Sequence, residues 1–117
     1  MIITLGFTES DRAADYSSFS DGYRIGARQE SVTVVLDGSG EAMTAKQWAE
    51  AAYEASNLRD AAPAGPAQTI HLALTTQVRG PLRSLSRGDT VTVHGQMLAC
   101  EALDWRRVDE AVTGGSR

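Results

Sequence analysis

The sequence predicts an α+β fold: a small, mostly antiparallel β-sheet of about four to six strands, with one main amphipathic helix (44–58) packed on one face. Three observations support this fold class. Apolar and polar residues alternate in several short segments, as they do in half-buried strands. Within 44–58 the apolar residues instead recur at the three- and four-residue spacing of a buried helix face. Glycine and proline separate these segments.

The N-terminal segment combines a strand pattern with a polar loop. Residues 1–7 predict a strand whose odd-numbered apolar residues share one face. Residues 8–21 predict a loop, with one helical turn near 11–16. This loop carries four carboxylates, but calcium loops need a tighter alternation of oxygen ligands, so no metal site is predicted.

Residues 22–27 and 31–37 both alternate and predict a hairpin. The stretch 37–40, Asp-Gly-Ser-Gly, then ends the second strand. It resembles a phosphate-binding loop only superficially, because such loops continue directly into Lys and Ser or Thr. The first lysine here is Lys46, already inside the predicted helix, so 37–40 is interpreted as a turn and linker.

The predicted helix at 44–58 has a start signal and an apolar stripe. Thr44 and Gln47 have the spacing of a capping box. Trp48 is the largest apolar side chain of the stripe, and we expect it to dock on the sheet. The alternative is that Trp48 and Tyr53 are exposed anchors for a partner, since both residue types are favoured at interfaces.

The segment after the helix is harder to assign. Residues 59–67 contain two prolines and a glycine and predict a linker. Residues 69–78 fit two structures equally well. Ile70, Leu72 and Leu74 alternate as in a strand, yet the same segment also fits one helical face.

The most sharply patterned stretch of the chain is 82–102. A turn at 86–89 leads into alternating β-branched residues at 90–93, which predict a strand. His94-Gly95 is a two-residue turn candidate, and 96–102 is the predicted returning strand. This stretch therefore predicts a β-hairpin.

The domain is predicted to span 1–108, with Trp105 closing one edge of the core. Residues 109–117 are polar, end in Gly-Gly-Ser-Arg and predict a disordered tail. Alanine is abundant among the apolar residues, so the core is expected to be thin. Self-association as a homodimer or larger homo-oligomer is a hypothesis that follows, because its interface could bury apolar surface that the monomer cannot.

Composition restricts the function classes. A net charge of −4 argues against broad binding to nucleic acid or anionic membranes. The single cysteine forms no internal disulfide, and neither a signal peptide nor an apolar run of membrane-spanning length is present. These features predict a soluble, cytoplasmic protein. Arginine makes up ten of the eleven Lys and Arg residues, which is typical of a GC-rich genome.

A motif near the C-terminus resembles a known group of proteins. SLSxGDxV at 84–91, followed by Cys100 and Trp105, resembles the C-terminal end of small proteins of actinobacterial phages and mobile elements. It is more faintly similar to YodL-like mobile-element proteins. The resemblance covers 83–108, with a vaguer likeness at 50–57. It implies a phage or mobile-element protein, favours a helix at 69–78 and carries over no catalytic residue.

The candidate binding site lies in the loop before the predicted hairpin. Arginines spaced by four, with neighbouring hydroxyls, suit phosphate or an acidic partner, and binding residues concentrate on loops of a rigid scaffold. The other interpretation is a solvated loop with local pairs to the aspartate. The candidate binding residues are Arg79, Arg83, Ser84, Ser86, Arg87 and Asp89.

No catalytic or metal-binding set is predicted. His94 in a hairpin turn is too far along the ladder from Cys100 to activate it. Two histidines and one cysteine are too few for a usual structural zinc site.

The chain is therefore expected to be a non-enzymatic accessory protein without a cofactor. Its expected partner is a host or phage protein. The alternative is a nucleic-acid-binding accessory protein that uses the arginine-rich loop at 79–87.

Overall fold

Five strands form one sheet in the described part of the chain. The computed structural model describes residues 1–11, 13–36, 43–57, 65–79, 83–102 and 104–108. The sheet order is β2-β1-β3-β4-β5, and every neighbouring pair is antiparallel. The strands are β1 (Ile2–Thr8), β2 (Gln29–Val35), β3 (Thr90–Val93), β4 (Gln96–Cys100) and β5 (Trp105–Arg107).

Two of the helices cover one face of this sheet. The helices are α1 (Ser18–Asp21), α2 (Ala45–Asn57) and α3 (Pro66–Gln77), and the two that pack on the sheet are α2 and α3. Helix α2 packs on β3, β4 and α3, while α3 also contacts β2. The predicted α+β fold, with helix 44–58 on one face of an antiparallel sheet, is confirmed. A second long helix, α3, joins the predicted one.

Apolar residues fill the space between helices and sheet because the strand alternation turns them to the same side. Ile3 and Leu5 of β1 and Val91 and Val93 of β3 are almost completely buried. Trp48 of α2 is also buried, as expected for docking on the sheet. The small alanines of the α2 stripe let the helix approach closely: Ala45, Ala49, Ala52 and Ala55.

Local sequence signals form as predicted at two places. The Gln47 N–H donates to Thr44 Oγ1 at 3.1 Å, and Gln47 Oε1 accepts from the Thr44 N–H at 2.9 Å, which completes the capping box. In the β3–β4 hairpin, His94 and Gly95 have φ values of 54° and 72°. Two successive positive φ angles are those of a type I′ turn.

The predicted hairpin of 22–27 with 31–37 is wrong. Residues 22–27 contain no strand, and β2 pairs with β1 instead. Gly22 and Gly26 have φ values of 79° and 90°, which interrupt an extended strand. The alternation of Tyr23 and Ile25 therefore reflects a loop.

The segment predicted at 69–78 is helical up to Gln77, since α3 runs from Pro66 to Gln77 and Val78 has extended backbone angles. Pro66 stands at the first turn of the helix, where its missing N–H costs nothing. The predicted linker is thus wrong at its end, and its residues 59–64 lie outside the described residues.

The predicted helical turn near 11–16 is also wrong. Asp11 and Tyr16 close a loop by a pair of backbone hydrogen bonds, and the helical turn comes later, as α1. The predicted turn at 37–40 and tail at 109–117 fall outside the described residues. Among the helices of the described ranges, none has the length and apolar character needed to cross a membrane.

Candidate functional site: the 83–89 loop and the β2 edge

Asp89 directly precedes β3 and makes hydrogen bonds to residues of both β4 and β1. Its backbone extends the β3–β4 ladder, because the Cys100 N–H donates to Asp89 O at 2.8 Å. Its side chain has no exposed surface and accepts the Thr8 N–H at 2.9 Å. A carboxylate oxygen thereby takes the place of a strand carbonyl at the end of β1. The Thr8 N–H at the end of β1 needs a hydrogen-bond acceptor, and the short side chain of Asp89 provides it.

Arg83 neutralises this buried carboxylate. Its Nη1 and Nη2 donate to Asp89 Oδ2 and Oδ1 at 2.6 and 2.7 Å, which is the bidentate geometry of strong ion pairs. The guanidinium lies over the Phe7 ring, 5.0 Å from its centroid. Ser86 adds its backbone N–H, which donates to Asp89 Oδ2 at 2.9 Å. The hydrogen bond to Asp89 raises the pKa of Arg83, so this cation stays charged.

The same loop is attached to the end of α2. Ser84 Oγ donates to the Ser56 carbonyl at 3.0 Å, and the Leu85 N–H donates to Ser56 Oγ at 3.0 Å. The Leu85 side chain is buried. These contacts fix the loop against the helix, so the SLSxGD motif connects α2 with the sheet.

Arg87 and Gly88 attach the loop to α1. Arg87 Nη1 donates to the Ser20 carbonyl at 2.7 Å. Gly88 has a φ of 93°, and a Cβ at this position would collide with the backbone carbonyl of Ser18. Only glycine combines this φ with this close approach.

The structure therefore brings together three of the predicted binding residues, Arg83, Ser86 and Asp89, in one hydrogen-bond network. Ser84 and Arg87 contact other parts of the chain, and Arg79 is exposed beyond the end of α3. The pairing of arginine with Asp89 agrees with the second interpretation of the sequence, except that Asp89 is buried. A role of these residues in binding stays a prediction.

Cys100 and His94, considered as a nucleophile and its base, lie at opposite ends of β4. His94 is in the turn that precedes this strand, and Cys100 is its last residue. Burial, together with the nearby charges of Asp89 and Glu101, raises the pKa of the buried Cys100 thiol. The thiol is therefore less reactive than a free cysteine at neutral pH. Within the described ranges, no group of three metal-binding side chains lies close enough to hold an ion.

The exposed side of β2 is a second candidate site, which we call the β2 edge. Met1 and Leu36 exchange two backbone hydrogen bonds, and such pairs alternate along an antiparallel ladder. The register then directs the backbone groups of every second β2 residue away from β1. These outward residues are Gln29, Ser31, Thr33 and Val35.

Only the last outward position has a partner in the described part of the chain. Val35 N–H donates to Gln77 Oε1 at 2.8 Å, and Gln77 Nε2 donates to the Val35 carbonyl at 2.7 Å. The backbone groups of Ser31 and Thr33 have no such partner among the described residues. Sequence reasoning missed this edge because it paired β2 with 22–27.

A cleft at the start of β2, where Arg28 precedes the strand, contains side chains of both charges. The cleft has a volume of about 340 Å³ and is lined by residues that include Glu9, Asp11, Arg24 and Arg28. Arg24 already lies 4.4 Å from the centroid of the Tyr16 ring. Two acidic and two basic side chains give this cleft no preference for either ligand charge.

Comparisons with protein-family models, curated proteins and solved structures find no match to this chain. The resemblance at 83–108 to phage and mobile-element proteins therefore stays a prediction.

Proposed function

We propose that the protein is a non-enzymatic accessory protein of a phage or mobile element, and that it binds a host or phage protein along the β2 edge. The observation that carries this proposal is the run of outward backbone groups at Gln29, Ser31 and Thr33, with no backbone partner among the described residues. An extended segment of another protein can add to such an edge as a further strand.

The energy of this interaction comes mainly from the backbone. Each outward residue can exchange two hydrogen bonds with an antiparallel partner, which gives about six over three positions. Each is worth roughly 0.5–1.5 kcal/mol net. Part of that gain is lost in ordering the partner segment. The expected interaction is therefore specific in register and moderate in affinity.

Side chains along the edge favour a partner that is not acidic. Glu30 is exposed between the outward residues Gln29 and Ser31, and the chain has a net charge of −4. An acidic segment would meet repulsion both on approach and at Glu30. A neutral or basic extended segment fits this edge.

The alternative function, nucleic-acid binding by the loop at 79–87, has less support from the geometry. Arg83 uses its guanidinium on Asp89, and Arg87 donates to Ser20. A phosphate would have to compete with those acceptors. The net negative charge further weakens attraction to a polyanion.

The experiment is an affinity capture with a proline substitution at the edge. Ser31→Pro removes an N–H that points away from β1, so the ladder inside the sheet stays intact, and the ring blocks an added strand. Ser31→Ala is the matched control because it keeps the backbone N–H. The tagged proteins are incubated with lysate of an actinobacterial host, with and without nuclease, and the captured proteins are quantified by mass spectrometry.

The expected result is a nuclease-resistant partner captured by the wild type and by Ser31→Ala and lost with Ser31→Pro. Thermal unfolding of both variants checks that the fold is retained. Partners that disappear with nuclease would instead support the nucleic-acid function. Equal capture by both Ser31 variants would reject the β2 edge as the binding site.

A further inference from the structure

The Gln77 side chain makes the hydrogen bonds to Val35 that a neighbouring strand would make. One amide group accepts from the Val35 N–H and donates to the Val35 carbonyl, at 2.8 and 2.7 Å. This is the pair of hydrogen bonds that a residue of a neighbouring strand would exchange with Val35. The side chain comes from the last residue of α3, and α3 is held in place by its packing on β2 and α2.

We propose that Gln77 closes the β2 edge at Val35 and thereby sets the length and register of any strand that pairs with it. The inference rests on the proposed function where it concerns a partner strand. With Val35 occupied, an added strand can pair only with Gln29, Ser31 and Thr33. The partner that fits is therefore an extended segment of about five residues, which is the span from Gln29 to Thr33.

The same amide restricts pairing between two copies of the chain. Two β2 edges can pair antiparallel only if outward residues lie opposite outward residues. Registers that use Val35 are blocked by Gln77, which leaves those centred near Ser31. In these, Glu30 of each copy lies diagonally across from the other, at a distance where like charges still repel. Exposed edges of natural proteins commonly carry such protection against self-association.

Two variants of Gln77 separate the contributions of its donor and acceptor. Gln77→Ala removes both hydrogen bonds. Gln77→Glu keeps the acceptor for the Val35 N–H but cannot donate to its carbonyl. Gln68→Ala is the matched control, since it removes an amide from the same helix, and among the described residues the hydrogen bonds from this helix to Val35 come from Gln77.

The experiment uses the protein alone, so its failure is distinguishable from a failure to capture a partner. Amide hydrogen exchange is followed by NMR, and self-association by sedimentation over a concentration series. In the wild type we expect a protected Val35 amide beside rapidly exchanging Ser31 and Thr33 amides. Gln77→Ala should accelerate exchange at Val35 on the order of tenfold, and Gln77→Glu should do so less.

Self-association is the second readout. Gln77→Ala should show a larger dimer fraction than the wild type at each concentration, while Gln68→Ala should match the wild type. An unprotected Val35 amide in the wild type would overturn the proposal. So would equal dimer fractions for Gln77→Ala and the wild type.

Discussion

Arg83 and Asp89 form an ion pair in which only the arginine reaches solvent. The arginine side chain is 48% exposed, whereas the aspartate side chain is 0% exposed. The two partners therefore depend on the pair to different degrees. Arg83 can be hydrated without Asp89, but the Asp89 carboxylate is left buried if Arg83 is removed.

The first prediction follows from this asymmetry. Arg83→Met should lower the free energy of unfolding by about 3 kcal/mol, because it leaves a buried charge without its counter-ion. Arg83→Lys keeps a positive charge but loses the bidentate geometry and the packing on Phe7, and should cost about 1–2 kcal/mol. Urea unfolding measures both values. Equal costs for the two variants would show that geometry, rather than charge, dominates at this site.

Two glycines with positive φ provide the second prediction. Gly88→Ala combines an unfavourable φ with a collision against the Ser18 carbonyl, and should cost about 3 kcal/mol. Gly95→Ala has a similar φ, but a Cβ there meets no atom within 4 Å. It should cost about 1 kcal/mol. If the two substitutions cost the same in thermal unfolding, the close contact of the loop with α1 is absent in solution.

Asp104 gives a prediction about pH. The Trp105 backbone N–H and, second, the Lys46 ammonium lower the pKa of Asp104. Because its pKa is lowered, the ionised Asp104 carboxylate stabilises the fold at pH values above its pKa in the unfolded state. This stabilisation is lost as the pH falls through its pKa in the folded state. NMR titration should place the pKa of Asp104 below its ordinary value. Lys46→Met should raise that pKa only partly, since the larger cause remains. A complete return to the ordinary value would contradict this account.

Cys100 provides the fourth prediction. Its raised pKa and burial leave little thiolate near neutral pH. Iodoacetamide should therefore label the native protein on the order of tenfold more slowly than the protein in urea. As the pH is increased, the labelling rate of the native protein should rise only above the ordinary pKa of a free cysteine. Equal rates in the native and unfolded protein would mean that Cys100 is exposed in solution.

The parts of the fold that the sequence predicts are those with local causes. The Thr44 and Gln47 capping box and the His94-Gly95 turn each involve residues within a few positions of one another. The partner of β2 could not be predicted in this way, because the alternation of 31–37 is compatible with any neighbouring strand. The correct neighbour, β1, is the preceding strand of the chain, but residues 9–28 separate it from β2, whereas 22–27 lies directly before β2.

The candidate sites show the same limit. The turn at 86–89 was predicted from Gly88 and Asp89, but their packing against Ser18 and Thr8 depends on tertiary structure. Arginines at regular spacing indicate a binding surface until a buried acceptor for one of them is known. For Gln77 the sequence offers no signal, since its role depends on α3 ending beside β2.

The most direct test of the central claim compares the β2 edge with the arginine-rich loop at 79–87 in one capture experiment. Ser31→Pro changes only the edge, and Arg79→Ala removes an exposed arginine outside the Arg83–Asp89 network. Captured partner is quantified for both variants and for the wild type. Binding at the edge predicts loss of the partner with Ser31→Pro and full capture with Arg79→Ala. Retained capture with Ser31→Pro and loss with Arg79→Ala would contradict it and place the interaction on the arginine-rich loop at 79–87.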